Sequence, residues 1–154
     1  MHLKNSQRKI RLATAKDSDL VAPLFDAYRQ FYGQKSNLRL AKKFISERLK
    51  NKQSIIFVAL LEKKAVGFVQ LYPSFSSVSA DKILVLNDLY VDHEARKLGV
   101  ARALMNKAKD YAVKNKAQRL CLTTAKNNSK AKSLYESLGY VLDVDNEYYS
   151  LGIF

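Results

Sequence analysis

A mixed α/β fold is what this sequence predicts, on three observations. Two apolar, β-branched runs lie in SIIFVALLEKKAVGFVQLYP, separated by the charged turn at residues 62–64, which is the pattern of a β-hairpin. A strand, an amphipathic helix and a second strand then follow one another between residues 82 and 124, and a crossover of that length demands parallel pairing. Before the hairpin, Leu20, Leu24, Ala27, Tyr28 and Phe31 recur at helical spacing, as do Leu40, Phe44, Ile45 and Leu49. With 154 residues, 47% hydrophobic and 27% charged, and only five glycines and two prolines, the chain suits a single domain over residues 10–154, preceded by a loose tail at 1–9.

Taken in order, KIRL opens with a short strand at 10–12, and Asp17 or Ser18 caps a helix over about residues 18–32 that stops near Gly33. The second helix sets Lys42, Lys43, Glu47 and Lys50 opposite its apolar side. Pro73 ends the second hairpin strand, since proline gives no N–H to a ladder. SFSSVSAD is a polar loop, and KILVLNDLYV is a third strand at about 82–91. The helix at about 99–115, with Val100, Leu104, Ala108 and Tyr111 on its apolar face, leads into the strand RLCLTT at 119–124. A short helix at about 129–138, closed by Gly139, precedes YVLDVDNEYYSLGIF, which reads as a second hairpin turning at Asp145 and Asn146. Together these elements predict a central mixed sheet of about six to seven strands flanked by about four helices.

The 27 Lys and Arg outnumber the 14 Asp and Glu, and the resulting charge of +13 implies an anionic partner. These basic residues are scattered from Lys4 to Lys132, with no basic block and no aromatic RNA-binding signature, so nucleic acid is not the expected partner. The longest apolar run, residues 55–61, falls far short of the roughly 20 residues that cross a bilayer. The first ten residues are polar, unlike a signal peptide, so a soluble cytoplasmic protein without a membrane partner is expected. Cys121 is the sole cysteine and His2 and His93 lie far apart, which excludes an internal disulfide and leaves no expected metal site.

The stretch VDHEARKLGVARALM carries the first chemical signal. A helix N-terminus leaves backbone N–H groups unpartnered and carries partial positive charge, so a loop entering it can wrap an anion. Gly99 removes a Cβ where a phosphate would approach and permits a positive φ, Ala101 keeps the next position small, and Arg96 or Lys97 adds positive charge. Residues 96–101, with Leu98 and Val100 among them, therefore suit a pyrophosphate cradle. The string has neither the Gly-Lys-Ser/Thr of a Walker A loop nor the three glycines of the dinucleotide fingerprint.

Arg96, Gly99 and Ala101, behind the strand DLYV, match the Q/R-x-x-G-x-G/A loop of the GNAT N-acetyltransferase superfamily. NSKAKSLYESLGY sets Asn128, Ala131, Leu134, Tyr135, Gly139 and Tyr140 in register with that superfamily's N-x-x-A-x-x-L-Y-x-x-x-G-F/Y motif. The chain thus resembles the superfamily over nearly its whole length. The resemblance implies the acyl-CoA N-acyltransferase fold, with the arm of acetyl-CoA laid between two splayed parallel strands, here about 82–91 and 119–124. It implies cofactor contacts from the backbone of Leu89, Tyr90 and Val91, from residues 96–101, and from Asn128, Lys132 and Tyr135. By the same resemblance Tyr135 protonates the departing CoA thiolate, although its spacing with Ala131, Leu134 and Leu138 equally suits a core aromatic.

An amine attacks only when neutral, and an aliphatic amine of pKa about 10 is mostly protonated at pH 7, so a base is useful. Many members of the superfamily carry an acid just before DLYV; this chain has Asn87 there, which takes up no proton. Asp88 is the nearest carboxylate, either a base or proton-relay member or a structural group. Adjacent strand residues point to opposite faces, so Asp88 need not stand in for an acid at position 87. Tyr72, Phe75 and Asn87 are expected to shape the acceptor pocket, and GFVQLYPSFSS resembles a subset of the superfamily that includes fungal histone and polyamine acetyltransferases. Cys121, between Leu120 and Leu122, reads as a small apolar filler rather than an acyl carrier, and His93 as a surface loop residue. The implied function is direct transfer of acetyl from acetyl-CoA to a primary amine of a small molecule. Two alternatives share these motifs: a protein lysine or N-terminal acetyltransferase, and a non-catalytic acyl-CoA- or RNA-binding module. The apolar stretch at 148–154 suits a homodimer interface.

Overall fold

The computed structural model describes residues 8–154. In chain order they form β1 (Arg8–Leu12), α1 (Ser18–Phe31), α2 (Leu38–Lys50), β2 (Ile55–Leu61), β3 (Lys64–Ser76), β4 (Asp81–Val91), α3 (Val100–Lys114), β5 (Leu120–Cys121) and α4 (Ser129–Ser137). The fold is mixed α/β, and its sheet keeps sequence order from β1 to β5. Neighbours are antiparallel until the last pair, β4 and β5, which runs parallel as the helical crossover requires. The chain divides into two compact units, Met1–Leu122 and Thr123–Phe154. Arg8 and Lys9, expected in a loose tail, belong to β1, and the rest of that tail lies outside the described residues.

In the first unit, α1 and α2 cover one face of the sheet. Val21, Leu24 and Phe25 of α1 and Ala41, Ile45 and Leu49 of α2 close over Ile56 and Phe68. Leu40, expected on the apolar side of α2, is 46% exposed, and Ala41 takes its place. The entry to α1 also differs from expectation. Asp17 makes no capping bond to α1; its carboxylate accepts from the Thr14 amide at 2.7 Å and from Arg11 Nη1 and Nη2 at 2.8 Å each. Buried Asp26 ties the two helices together, accepting from Ser36 Oγ at 2.6 Å and from the Asn37 amide at 2.8 Å. On the opposite face lies α3, which buries Val100, Leu104, Met105, Ala108 and Ala112, with Tyr111 edge-on to Phe57.

Three expectations about strands are corrected. Pro73 does not end β3, which continues to Ser76 with Pro73 opposite Leu84. β2 pairs with β3 only as far as Leu71, so at Pro73 the strand has an open edge and the missing N–H leaves no gap in a ladder. β5 spans Leu120–Cys121 rather than residues 119–124. The C-terminal hairpin is absent from the described residues: residues 140–154 hold no strand, although Asp143 Oδ1 accepts from the Asp145 and Asn146 amides at 3.0 and 3.2 Å and so makes a turn where one was expected. Two strands without a third to lie against are marginally stable in water, and the alternation of apolar residues does not by itself supply one. The described sheet accordingly has five strands.

In the second unit, Asn128 caps α4 by accepting from the Ala131 amide at 3.3 Å, and Gly139, at φ +88°, closes the helix.

Candidate active site

The site is organised by β4, whose two edges are treated differently. Toward β3 it is laddered at every residue but Asn87, from Asp81 opposite Ser76 to Val91 opposite Gly67. Toward β5 it pairs only at Leu84 and Val85. Beyond Val85 the backbone at 86–91 therefore presents an open edge among the described residues, and Leu89, Tyr90 and Val91 all lie on it. Gly67 lets β3 close up against this length: a Cβ there would meet the Tyr90 carbonyl oxygen at 2.8 Å.

A bulge interrupts the β3–β4 ladder in the same region. Gln70 faces Asp88 while Leu71 faces Leu86, so Asn87 is an extra residue in β4. The bulge overturns the strict alternation expected of Asn87 and Asp88, because it re-aims the side chains it inserts. Asn87 Nδ2 donates to Asp88 Oδ1 at 2.7 Å, and the two side chains act as neighbours.

Asp88 is only 2% exposed. Gln70 Nε2 donates to its Oδ2, and Gln70 is held in turn by Ser54 Oγ, which donates to Gln70 Oε1 at 2.7 Å. Tyr28 reaches across from α1, its hydroxyl donating to the Asn87 carbonyl at 3.2 Å. Burial raises the carboxyl of Asp88 above the usual carboxylate range, opposed by its bonds from Asn87 and Gln70 and by the nearby Tyr28 hydroxyl. Burial, with the charge of Asp88 behind it, also raises the phenol of Tyr28 and pushes that of Tyr72 up to about 12. Tyr72 thus lies within reach of the charge of Asp88, whereas Phe75 is 81% exposed.

At the end of β4 the chain turns through His93–Ala95 into the loop at 96–101. Arg96 is exposed; its Nε donates to the Val91 carbonyl at 3.0 Å and its guanidinium lies 5.9 Å from the Tyr90 ring centroid. Lys97 has φ +63° and Gly99, the N-cap of α3, φ +74°. A Cβ at Gly99 would meet only Arg8 Nη1, at an ordinary 3.4 Å, so this glycine serves the left-handed turn rather than a tight fit within the chain. Gly99 brings no capping side chain, and the first helical bond runs from the Ala103 amide to its carbonyl, which leaves the amides of Val100 and Ala101 without helical partners. Arg8 Nη1 donates to the Leu98 carbonyl at 3.1 Å, bringing a third cation to the loop.

The other sequence-predicted residues fall as follows. Asn128, Lys132 and Tyr135 lie in the second unit, at the start of α4 and on it, all half-buried; the Tyr135 ring is 6.1 Å from that of Tyr140. Cys121 is half-buried, with Sγ 3.8 Å from the Leu84 carbonyl, and His93 is exposed. Sequence reasoning missed Arg8, Tyr28, Ser54 and Gln70. Only Gln70 left a signal, as the one polar residue in the apolar run GFVQLYP. A groove of about 400 Å³ between α1, the β2–β3 turn and the end of β4, lined by Leu24, Lys63 and Asp92 among others, shares Tyr90 with the open edge.

Known proteins resemble the chain in sequence and fold. The model of the acetyltransferase (GNAT) family matches residues 21–140. An uncharacterised N-acetyltransferase of Bacillus subtilis, YhfO, is 46% identical over 94% of this chain and 97% of its own length. The crystal structure of a probable acetyltransferase superposes with a TM-score of 0.88 at 42% identity, covering 95% of this chain and 98% of its own. An aminoglycoside N-acetyltransferase crystallised with CoA shares the fold at a TM-score of 0.78 and 16% identity, over 94% of both chains.

Proposed function

The chain belongs to the acetyltransferase (GNAT) family, and on that premise we propose that it transfers acetyl from acetyl-CoA directly to the primary amine of a small molecule within a ternary complex. The observation that carries this reading is the open edge of β4 leading straight into a cationic, left-handed loop at a helix N-terminus. The residues suit the donor. The edge of β4 at 89–91 that lacks a partner strand faces the amides of an extended arm, with Arg96 holding the Val91 carbonyl, and Val100 and Ala101 offer main-chain donors to a pyrophosphate, with Arg96, Lys97 and Arg8 beside them. Asn128 and Lys132 are assigned to the same ligand by family resemblance.

In the chemistry that follows, Asp88 takes a proton from the acceptor, freeing the nitrogen lone pair to attack the thioester carbonyl. The C–S bond breaks as the amide forms. Tyr135 gives its phenolic proton to the departing sulfur and recovers one from the acylated nitrogen, so both tyrosine and products end neutral. Tyr72, Phe75 and Asn87 border the acceptor.

A carboxyl 2% exposed is reached only by a slender group such as an unbranched primary amine, and the amine and peptide panel below separates a small molecule from a lysine side chain. No described helix is long and apolar enough to cross a membrane, and we place the enzyme in the cytoplasm, with its acyl donor. The exposed apolar side chains of Tyr148, Tyr149, Leu151, Ile153 and Phe154 suit contact with a second copy, and a dimer is the expected outcome of light scattering.

The deciding experiment is thiol release from acetyl-CoA against a broad amine and peptide panel, beside calorimetry with coenzyme A. Tyr135→Phe is expected to slow the chemical step by about 10²-fold or more while keeping coenzyme A affinity. Equal turnover would remove Tyr135 from the mechanism. Acetylation of peptides alone would select the protein-directed alternative, and salt-sensitive RNA retention without thiol release the non-catalytic one.

A further inference from the structure

The peptide that joins Leu98 to Gly99 is fastened from behind. Arg8, at the start of β1 and 90 residues away in sequence, donates from Nη1 to the Leu98 carbonyl at 3.1 Å. The same nitrogen would lie 3.4 Å from a Cβ placed on Gly99, so the guanidinium rests against the outer side of the turn. Among the described residues no other side chain bonds to residues 97–99. Arg8 stands outside the R-x-x-G-x-A string and far from it in the chain.

A trans peptide sets its C=O and N–H in opposite directions, and no peptide bond here is cis. With the Leu98 carbonyl held by Arg8, the Gly99 amide therefore points away from Arg8. Gly99 is left-handed at φ +74° and Val100 begins a right-handed helix, and across such a turn successive N–H groups converge on one hollow. The amides of Gly99, Val100 and Ala101 form that hollow, and the Gly99 amide makes no backbone bond with a described residue.

The peptide has a second orientation open to it. Lys97 is left-handed as well, at φ +63°, a conformation that a residue with a Cβ keeps only when its surroundings hold it. Turning the peptide over changes ψ of Leu98 and φ of Gly99, and glycine accepts either sign of φ. The turned peptide would aim a carbonyl oxygen into the hollow, where it repels an anion. The freedom that lets Gly99 make the turn thus leaves its own amide unfixed, and a guanidinium on the outer oxygen favours the orientation that receives an anion. A cation at that oxygen also polarises the peptide and strengthens its N–H as a donor.

We propose that Arg8 is a positioning residue for the acyl donor: by holding the Leu98 carbonyl from outside, it aims the Gly99 amide at the pyrophosphate of coenzyme A, and it acts through that peptide rather than by touching a phosphate. This deepens the function proposed above and rests on it.

Calorimetry of the full chain with coenzyme A and with 3′-dephospho-coenzyme A, which keeps the pyrophosphate, tests the assignment. Arg8→Ala is expected to weaken both ligands by the same factor, about three- to tenfold, and to keep that loss when salt rises from about 0.05 M to about 0.5 M. Arg8→Lys, which retains a cationic donor, should recover most of the affinity. In thiol release Arg8→Ala should raise KM for acetyl-CoA by the same factor and leave kcat and the KM of the amine as they are, which a general loosening of the site would not do. Unchanged coenzyme A affinity overturns the proposal. So does a loss that spares dephospho-coenzyme A, since Arg8 would then read the 3′-phosphate directly, and so does a loss that vanishes in high salt, which is the mark of a field acting at a distance. A wild-type chain that binds neither ligand would instead overturn the reading beneath it.

Discussion

The two halves of β4 differ in what their backbone is for. In the first, Leu84 and Val85 are hydrogen-bonded to β3 on one side and β5 on the other, and Ile83, Leu84 and Leu86 are buried. In the second, one edge is free, a bulge at Asn87 turns two polar side chains into contact, and Leu89, Tyr90 and Val91 are half-buried. The closed half anchors the open one. A strand end with unpaired N–H and C=O groups is normally a liability for a sheet, and here the fully laddered half and the β3 edge hold it in place.

Three measurements separate these halves. Largest should be Leu84→Ala in the closed half, which leaves a cavity in the core and is expected to lower unfolding free energy by about 2–5 kcal/mol in denaturant melts while the folded fraction keeps its coenzyme A affinity. A loss of affinity in fully folded variant would mean the halves are not separable. Next comes Gly67→Ala, whose new Cβ would lie 2.8 Å from the Tyr90 carbonyl and must push the open half away from β3. We expect about 1–3 kcal/mol of destabilisation together with weaker coenzyme A binding, and an unchanged Kd would argue that the backbone at Tyr90 is not part of the ligand edge.

The smallest effect should appear in the pH dependence of stability. Burial raises Asp88 above its unfolded value near about 3.9, so its ionisation destabilises the fold: the cost is absent below that pH and grows as pH rises through the folded pKa. Asp17 has the opposite sign. The Arg11 guanidinium lowers it, so its contribution is complete above about pH 3.9 and is lost as pH falls. Stability of Asp88→Asn relative to wild type should therefore rise with pH above about 4, while acid unfolding driven by Asp17 stays common to both. A difference that does not vary with pH would show that Asp88 is not an uncompensated buried charge.

Much of the fold was legible because it rests on local periodicity. The helices α1, α2, α3 and α4 and the β2–β3 hairpin follow from spacing of apolar residues and from their caps and turns, and the parallel β4–β5 pair follows from crossover length. The loop at 96–101 was equally legible, since a glycine at a helix entrance is a local requirement, met here by φ +74° at Gly99. Pro73 was misread because whether a proline harms a strand depends on where the neighbouring strand stops. The C-terminal hairpin was misread because alternation marks a strand's faces but not the presence of a partner.

By itself the sequence determined the α/β character, the order of its elements, the cationic glycine loop and the motifs shared with the family. Only the tertiary structure decided that Asn87 sits in a bulge, that Ser54 and Gln70 stand behind Asp88, that Tyr28 comes to it from α1, and that Arg8 reaches the loop at 96–101. The reason is range: helix faces and turns are set by residues three or four apart, whereas these contacts join positions 16 to 90 residues distant and depend on strand register, which no local pattern records.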